Sequence, residues 1–202
     1  KKRFLDINSG NKVLGVYQLN DDALDFNNEK KFQKIISENI SKFDLVVVSD
    51  YGHGLISNKI ARLISKKSKF LALNAQINAA NVPHHTLQKY QKVDAMIINR
   101  QELIHEMRDK NTSIVKLAKI FIKKMKIKNL VITMGKVGAI LVTEKGKHIY
   151  CPAFANNVLD KVGAGDAMLS VMSLLCKVGC NPSISIFLGS LAAAQNVENL
   201  NN

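Results

Sequence analysis

Four short apolar runs set the fold: Leu45-Val46-Val47-Val48, Phe70-Leu71-Ala72-Leu73, Ala95-Met96-Ile97-Ile98 and Asn129-Leu130-Val131-Ile132-Thr133. They recur about every 25 residues or a little more, with helical stretches between them. A run that is apolar at successive positions belongs to a strand buried on both faces. Strands that alternate with helices are joined by crossovers, and such crossovers between parallel strands are right-handed. The pattern predicts an α/β fold, a doubly wound and mostly parallel sheet with helices on both faces.

The connecting stretches read in detail. From Asn28 the spacing of Phe32, Ile35, Ile36, Ile40 and Phe43 predicts an amphipathic helix. Ser57 is placed to cap a helix over 58–67, and residues 113–125 set Ile114, Leu117, Ala118, Phe121 and Ile122 against a lysine face. Met134-Gly135-Lys136-Val137-Gly138 predicts a turn into Ala139-Ile140-Leu141-Val142-Thr143, and a second turn leads to His148-Ile149-Tyr150-Cys151. Asn181-Pro182-Ser183 opens a last helix, to about residue 197, which reads as buried against the sheet. Residues 1–20 read as two short strands around Ser9-Gly10-Asn11-Lys12, at a lid or a sheet edge, and residues 199–202 as a frayed tail.

Composition excludes several classes. A chain of 202 residues with 47% hydrophobic residues builds a core as one domain and is not disordered. No apolar run reaches the roughly 18 residues of a membrane span, and the first residues lack the apolar core of a signal peptide. Cys151, Cys176 and Cys180 lack metal-ligand spacing and read as reduced thiols, so the expected location is cytoplasmic. The net charge of +13 raises nucleic acid as a partner. Its excess is lysine rather than arginine, however, scattered over helix faces with few aromatics for base stacking. The reading is a solvated surface, with no specific nucleic acid and no membrane partner.

The chemistry concentrates in Asp160-Lys161-Val162-Gly163-Ala164-Gly165-Asp166, ahead of the apolar run Ala167-Met168-Leu169-Ser170-Val171-Met172. Two glycines one residue apart permit a turn that side chains would obstruct, and Gly179 is placed to end the helix behind it. A helix start points unpaired N–H groups at one spot, where the helix dipole also favours an anion. Asp166 stands beside that spot, able to take a proton from a hydroxyl that attacks phosphorus. The same residues also read as an ordinary turn and helix cap.

Polar residues follow the other strands, where open α/β sheets place ligands. Ser49-Asp50-Tyr51-Gly52-His53-Gly54 follows the first, and Asp50 is read as lining the site. Asn74-Ala75-Gln76 follows the second, and His84 and His85 read as surface or capping residues. Asn99-Arg100-Gln101-Glu102 follows the third, where Asn99 and Glu102 have the spacing of a helix-capping pair.

Val162-Gly163-Ala164-Gly165-Asp166 resembles the signature of ribokinase-like (PfkB-type) carbohydrate kinases, with Lys161 where the family usually has threonine. Three further stretches resemble the family in the same order along the chain. Residues 49–54 are similar to the Ser-Asp-Tyr-Gly-Lys-Gly stretch of heptose-phosphate kinases, with His53 for the lysine. Asn99 to Glu102 matches the family's Asn-x-x-Glu, and Thr133 to Gly138 its Thr-x-Gly-x-x-Gly. Asn74 replaces an aspartate that commonly ends its strand.

The resemblance implies transfer of the γ-phosphoryl group of ATP to a hydroxyl of a sugar or, more narrowly, a sugar phosphate. Asp166 would be the base, and the N–H groups of Gly163, Ala164 and Gly165 would hold the transferred group. Asn99 and Glu102 would serve Mg2+, Asp160 the metal and a monovalent-cation site, and Thr133, Gly135 and Gly138 the nucleotide. A nucleoside or vitamin kinase of the same fold is one rival. A non-catalytic remnant that binds nucleotide or nucleic acid through its lysines is the other. The chain opens on Lys1 and resembles the later part of a kinase domain, so it reads as a partial domain over 1–202 that lacks much of the acceptor pocket. Missing strands would leave an unpaired sheet edge, which favours aggregation or a homodimer.

Overall fold

A computed structural model describes residues 2–7, 12–16, 18, 22–77, 81, 85–156 and 163–198. Strands β1 (Lys2–Leu5) and β2 (Lys12–Val16) pair antiparallel in a sheet of their own. Helix α1 (Phe26–Asn39) leads to β3 (Val46–Asp50), α2 (Asn58–Lys67), β4 (Leu71–Ala75) and β5 (Ala95–Asn99). Helices α3 (Arg100–Met107) and α4 (Ile114–Met125) precede β6 (Asn129–Thr133), β7 (Ala139–Thr143) and β8 (His148–Cys151). Helices α5 (Ala164–Lys177) and α6 (Pro182–Glu198) follow.

The main sheet has six strands in the order β3-β4-β5-β6-β7-β8. The first four are parallel, and β7 and β8 add an antiparallel hairpin at one edge. This is the expected mostly parallel α/β sheet with helices on both faces. Side-chain alternation divides it between two cores. Met96 and Ile98 of β5 join Ile60, Leu103, Leu117 and Phe121, under α2, α3 and α4. Ala95 and Ile97 join Met168, Leu169, Met172 and Ile186, under α5 and α6. The small residues Ala72, Ala95 and Ala139 on this second face leave room for α5 and α6.

Helix ends follow their sequence signals. Ser57 caps α2 by accepting from the Ile60 N–H at 3.3 Å, and Asn181 accepts from the Ser183 N–H at 2.9 Å with Pro182 in the first turn of α6. Gly179, at φ +72°, ends α5: the N–H groups of Gly179 and Cys180 reach the carbonyls of Cys176 and Leu175, the paired bonds of a Schellman motif.

Two helices differ from expectation. The apolar face read from Asn28 is only half covered. The helix stops at Asn39, a 3-10 turn (Ile40–Lys42) follows, and Ile35 and Phe43 remain 58% exposed. The cause is that β3 is the edge of the sheet, so the described residues offer nothing beyond it to pack on. Helix α6 buries Ser185, Ile186, Gly189 and Ser190 but leaves Ile184 and Phe187 exposed, so it is covered on one side rather than all round. Among the described residues no helix is long and apolar enough to cross a membrane.

Candidate active site

The parallel strands deliver polar residues to one edge of the sheet. Ser49 of β3 pairs in register with Asn74 of β4, and Asn99 of β5 with Thr133 of β6. The start of α5 lies over this edge. Gly163 precedes it at φ +88°, and a Cβ there would stand 3.1 Å from Asn196 Oδ1 on α6, so conformation and space both call for glycine. A Cβ on Gly165 would stand 3.4 Å from Asn74 Nδ2, which places that helix turn beside the end of β4. The helix begins at Ala164, which puts Gly165 and Asp166 in its first turn. Its N-cap, Gly163, has no side chain with which to bond the first N–H groups. The backbone N–H groups of Ala164, Gly165 and Asp166 thus lie in the turn that lacks intrahelical acceptors, at the positive end of the dipole.

The carboxylate of Asp166 is held by two hydroxyls from β3 and the residue after its end. Ser49 Oγ donates to Oδ1 at 3.2 Å, and the Tyr51 hydroxyl donates to Oδ2 at 3.3 Å. Asp166 itself is exposed, so the carboxylate is oriented yet open to a substrate. Neither partner is evident as such in the sequence, since they lie 117 and 115 residues away. Strand parity is the signal that would have pointed to Ser49: successive residues face opposite sides, so only one of Ser49 and Asp50 reaches α5.

Asp50 is the correction that follows. It was expected to line the site, but its side chain is only 5% exposed and faces the other core. Its carboxylate accepts from the Gly52 N–H at 2.9 Å and the Tyr90 hydroxyl at 2.7 Å, and pairs with Lys89 Nζ at 2.7 Å. Burial pushes the Asp50 carboxyl up, yet Lys89, Tyr90 and the Gly52 N–H outweigh it, and the net direction is down. Burial and the neighbouring Asp50 charge push the Tyr90 phenol well up, so it stays a donor. His85 is also not at the surface: it is buried, close against Gly52. His84 lies outside the described residues.

Asn99 and Glu102 form the capping box. Asn99 Oδ1 accepts from the Glu102 N–H at 2.8 Å, and Glu102 Oε2 accepts from the Asn99 N–H at 2.7 Å. Burial pushes the Glu102 carboxyl up to about 7, against hydrogen bonds from the N–H groups of Asn99 and Ile77. Asn99 is exposed at the edge and Glu102 is buried behind it. Thr133 ends β6, and the turn after it is a single 3-10 turn (Gly135–Val137). Gly138, at φ +109°, is fixed by packing, because a Cβ there would overlap the Cys151 carbonyl. Gly135, at φ +59°, has open space around it and borders the edge. Asp160 lies outside the described residues; Asn99, Thr133 and the start of α5 with Asp166 lie at the carboxy-terminal edge of the sheet, and Asp50 does not face it. No group of three His, Cys, Asp or Glu side chains able to hold a metal occurs among the described residues.

At the opposite ends of the same strands, Lys66, Lys69, Lys92, Lys123, Lys126 and Lys128 ring a concavity of about 550 Å³. Lys128 pairs with Asp94 at 2.7 Å, and Lys69 with Asp44 at 2.9 Å. None of the site residues named above borders it.

Known proteins resemble the chain in sequence and in fold. It is 28% identical over 175 residues to the bifunctional protein HldE of Campylobacter curvus, covering 85% of this chain and 36% of that one. It is likewise 28% identical over 166 residues to the bifunctional protein HldE of Helicobacter pylori, covering 76% and 33%. The chain thus spans about a third of the length of these relatives. In fold it is similar to phosphofructokinase-2 from Escherichia coli in complex with potassium, with a TM-score of 0.77 at 18% identity over 95% of this chain and 62% of that one. Arabidopsis thaliana ribokinase complexed with ribose and ATP gives 0.63 at 16% identity, over 88% and 55%. Residues 11–201 match the pfkB family carbohydrate kinases, and the chain belongs to that family of sugar kinases.

Proposed function

We propose that the protein moves the γ-phosphoryl group of ATP to a hydroxyl of a sugar phosphate of the heptose-phosphate class. One observation carries the reading: an exposed carboxylate, Asp166, oriented by two hydroxyls within the first turn of a helix whose N-cap is glycine. A base and an anion cradle then stand within one turn of each other, as in-line transfer requires. Asp166 takes the proton of the attacking hydroxyl. The N–H groups around Gly163, Ala164 and Gly165 hold the transferred group as its charge shifts. Thr133, Gly135 and Gly138 run along the nucleotide. The heptose-phosphate class is supported by the similarity of residues 49–54 to those kinases and by the HldE relatives.

The donor set suits magnesium. Asn99 offers an exposed amide oxygen at the edge, and Glu102 is engaged in its capping box behind it, so contact through water is the mode these residues allow. Magnesium keeps several waters and shares its remaining positions with phosphates, so it does not require a cage of side chains. When bound it supplies charge neutralisation on the phosphates. A monovalent cation, for which the family resemblance names Asp160, and a homodimer complete the reading. Exposed Phe4, Leu5, Val13 and Leu14 on β1 and β2 are the support for pairing, which light scattering would check.

The test is calorimetry with Mg-ATP together with a coupled ADP assay over a panel of sugar phosphates, free sugars and nucleosides. The expected result is Mg-ATP binding and ADP release that depends on a sugar phosphate. Turnover confined to nucleosides would replace the acceptor class, and absence of Mg-ATP binding would overturn the reading.

A further inference from the structure

The two hydroxyls that hold Asp166 flank Asp50, whose carboxylate faces the opposite core. Beyond β3 the segment 51–56 has no regular structure, yet it is fixed at three points. The Gly52 N–H donates to Asp50 Oδ1 at 2.9 Å, Asn81 Nδ2 donates to the Tyr51 carbonyl at 3.1 Å, and Lys89 Nζ donates to the Ile56 carbonyl at 2.7 Å. Lys89 therefore grips both ends of the segment, through Asp50 at the start and Ile56 at the finish. The Lys89 and Asp50 side chains are 8% and 5% exposed. A buried ion pair contributes little to stability that apolar side chains of the same shape would not. What it does provide is direction: a charged donor with two fixed acceptors defines where a backbone runs.

We propose that Lys89, acting through Asp50, is a positioning residue for Asp166. The buried pair sets the turn at residues 50–52, the turn aims the Tyr51 hydroxyl, and that hydroxyl fixes the Asp166 carboxylate toward the reacting hydroxyl. Tyr90 is the second arm, since its hydroxyl donates to the same Asp50 oxygen at 2.7 Å. The inference rests on the reading of Asp166 as the base. It gives Asp50 a role in turnover without contact with substrate, and gives Tyr51 one that its exposed position alone does not suggest.

The experiment is a double-mutant cycle on turnover, made from Lys89→Met, Tyr51→Phe and the two combined. Lys89→Met is expected to lower kcat about 10- to 100-fold, the scale of a misplaced reacting group, while Mg-ATP affinity stays within about twofold. Lys89→Met should cost nothing further once Tyr51→Phe is present, because both changes break one chain of contacts. Additive losses, or unchanged kcat in a folded Lys89→Met protein, overturn the proposal. Where Lys89→Met does not fold, Lys89→Gln takes its place, removes the charge paired with Asp50 and decides the cycle by the same criterion. Asp166→Asn is measured alongside. If it abolishes turnover while the cycle is additive, the positioning role falls and the base remains. If it leaves turnover intact, both fall. Without measurable turnover, a crystal structure of the folded Lys89 variant decides: Tyr51 still bonded to Asp166 overturns the proposal, and Tyr51 displaced upholds it.

Discussion

The two ends of the parallel strands are both suited to anions, by opposite means. At the amino-terminal ends six lysines on flexible four-carbon stems ring a concavity that Asp94 and Glu144 also line, with Lys128 held by Asp94 and Lys69 by Asp44. At the carboxy-terminal ends the exposed carboxylate of Asp166 repels anions. The attraction there comes from backbone N–H groups whose direction α5 fixes. A mobile ammonium follows its ligand and discriminates little, whereas fixed dipoles stabilise charge only at one place. The sum of charges therefore points to the end opposite the proposed site. Among the described residues only the carboxy-terminal edge pairs the N–H groups of a helix start with a carboxylate oriented by hydroxyls.

The largest expected effect tests that pairing. Asp166→Asn should lower turnover by about 10²–10⁴ while Mg-ATP still binds, as read by the coupled assay and calorimetry. Near-normal turnover would reduce the edge to a binding surface like the other.

A second effect separates the ends by pH. The Glu102 carboxyl rises from an ordinary 4.5 to about 7 on folding, because burial disfavours its charge. Its contribution is complete below the unfolded value and is lost as pH rises through the folded one. Unfolding free energy should thus fall by up to about 3 kcal/mol between pH 4.5 and 7 from this group. Glu102→Gln keeps an acceptor for the Asn99 N–H and should flatten that decline in denaturant titrations. An unchanged slope would remove Glu102 as its source.

Gly163→Ala is expected to act on the cradle alone. At φ +88° a side chain costs about 1–2 kcal/mol, and the crowding by Asn196 adds to it, so Mg-ATP should bind roughly tenfold more weakly. Equal affinity in calorimetry would show that the N–H groups there do not hold phosphate.

The smallest effect belongs to the lysines. Lys66→Glu with Lys123→Glu should leave Mg-ATP affinity within about twofold, because those side chains only ring the far concavity. Duplex DNA should bind the unaltered protein at roughly 10⁻⁴–10⁻⁶ M at physiological salt, without sequence preference, and less tightly after the change. Sub-micromolar, sequence-selective binding would reverse the ranking of the two ends.

The sheet was legible because its strands are apolar on both faces, a pattern that needs no partner to interpret. The caps at Ser57, Asn99 and Asn181 were legible because a cap is a local bond. Orientation at the edge was not. Asp50 is a carboxylate at the end of a buried strand, and nothing local tells whether such a carboxylate faces a ligand or a lysine 39 residues on. The exposed flank of α1 was equally hidden, since helical periodicity predicts an apolar face and not whether a neighbour covers it. Gly138 was legible as a turn, but its reason, the approach of the Cys151 carbonyl, is tertiary.

The separation between Asp166 and its two hydroxyl partners has a consequence for assembly. Strands β4, β5 and β6 pair with near neighbours in the chain, so their ladder closes short loops. The junction of α5 with β3 closes a loop of more than a hundred residues and carries the larger entropic cost. A chain with its ladder formed and α5 undocked would have secondary structure and part of its core but no oriented carboxylate. Competence for the proposed chemistry thus rests on a contact between residues 117 apart, and a chain that has not closed it lacks the oriented carboxylate.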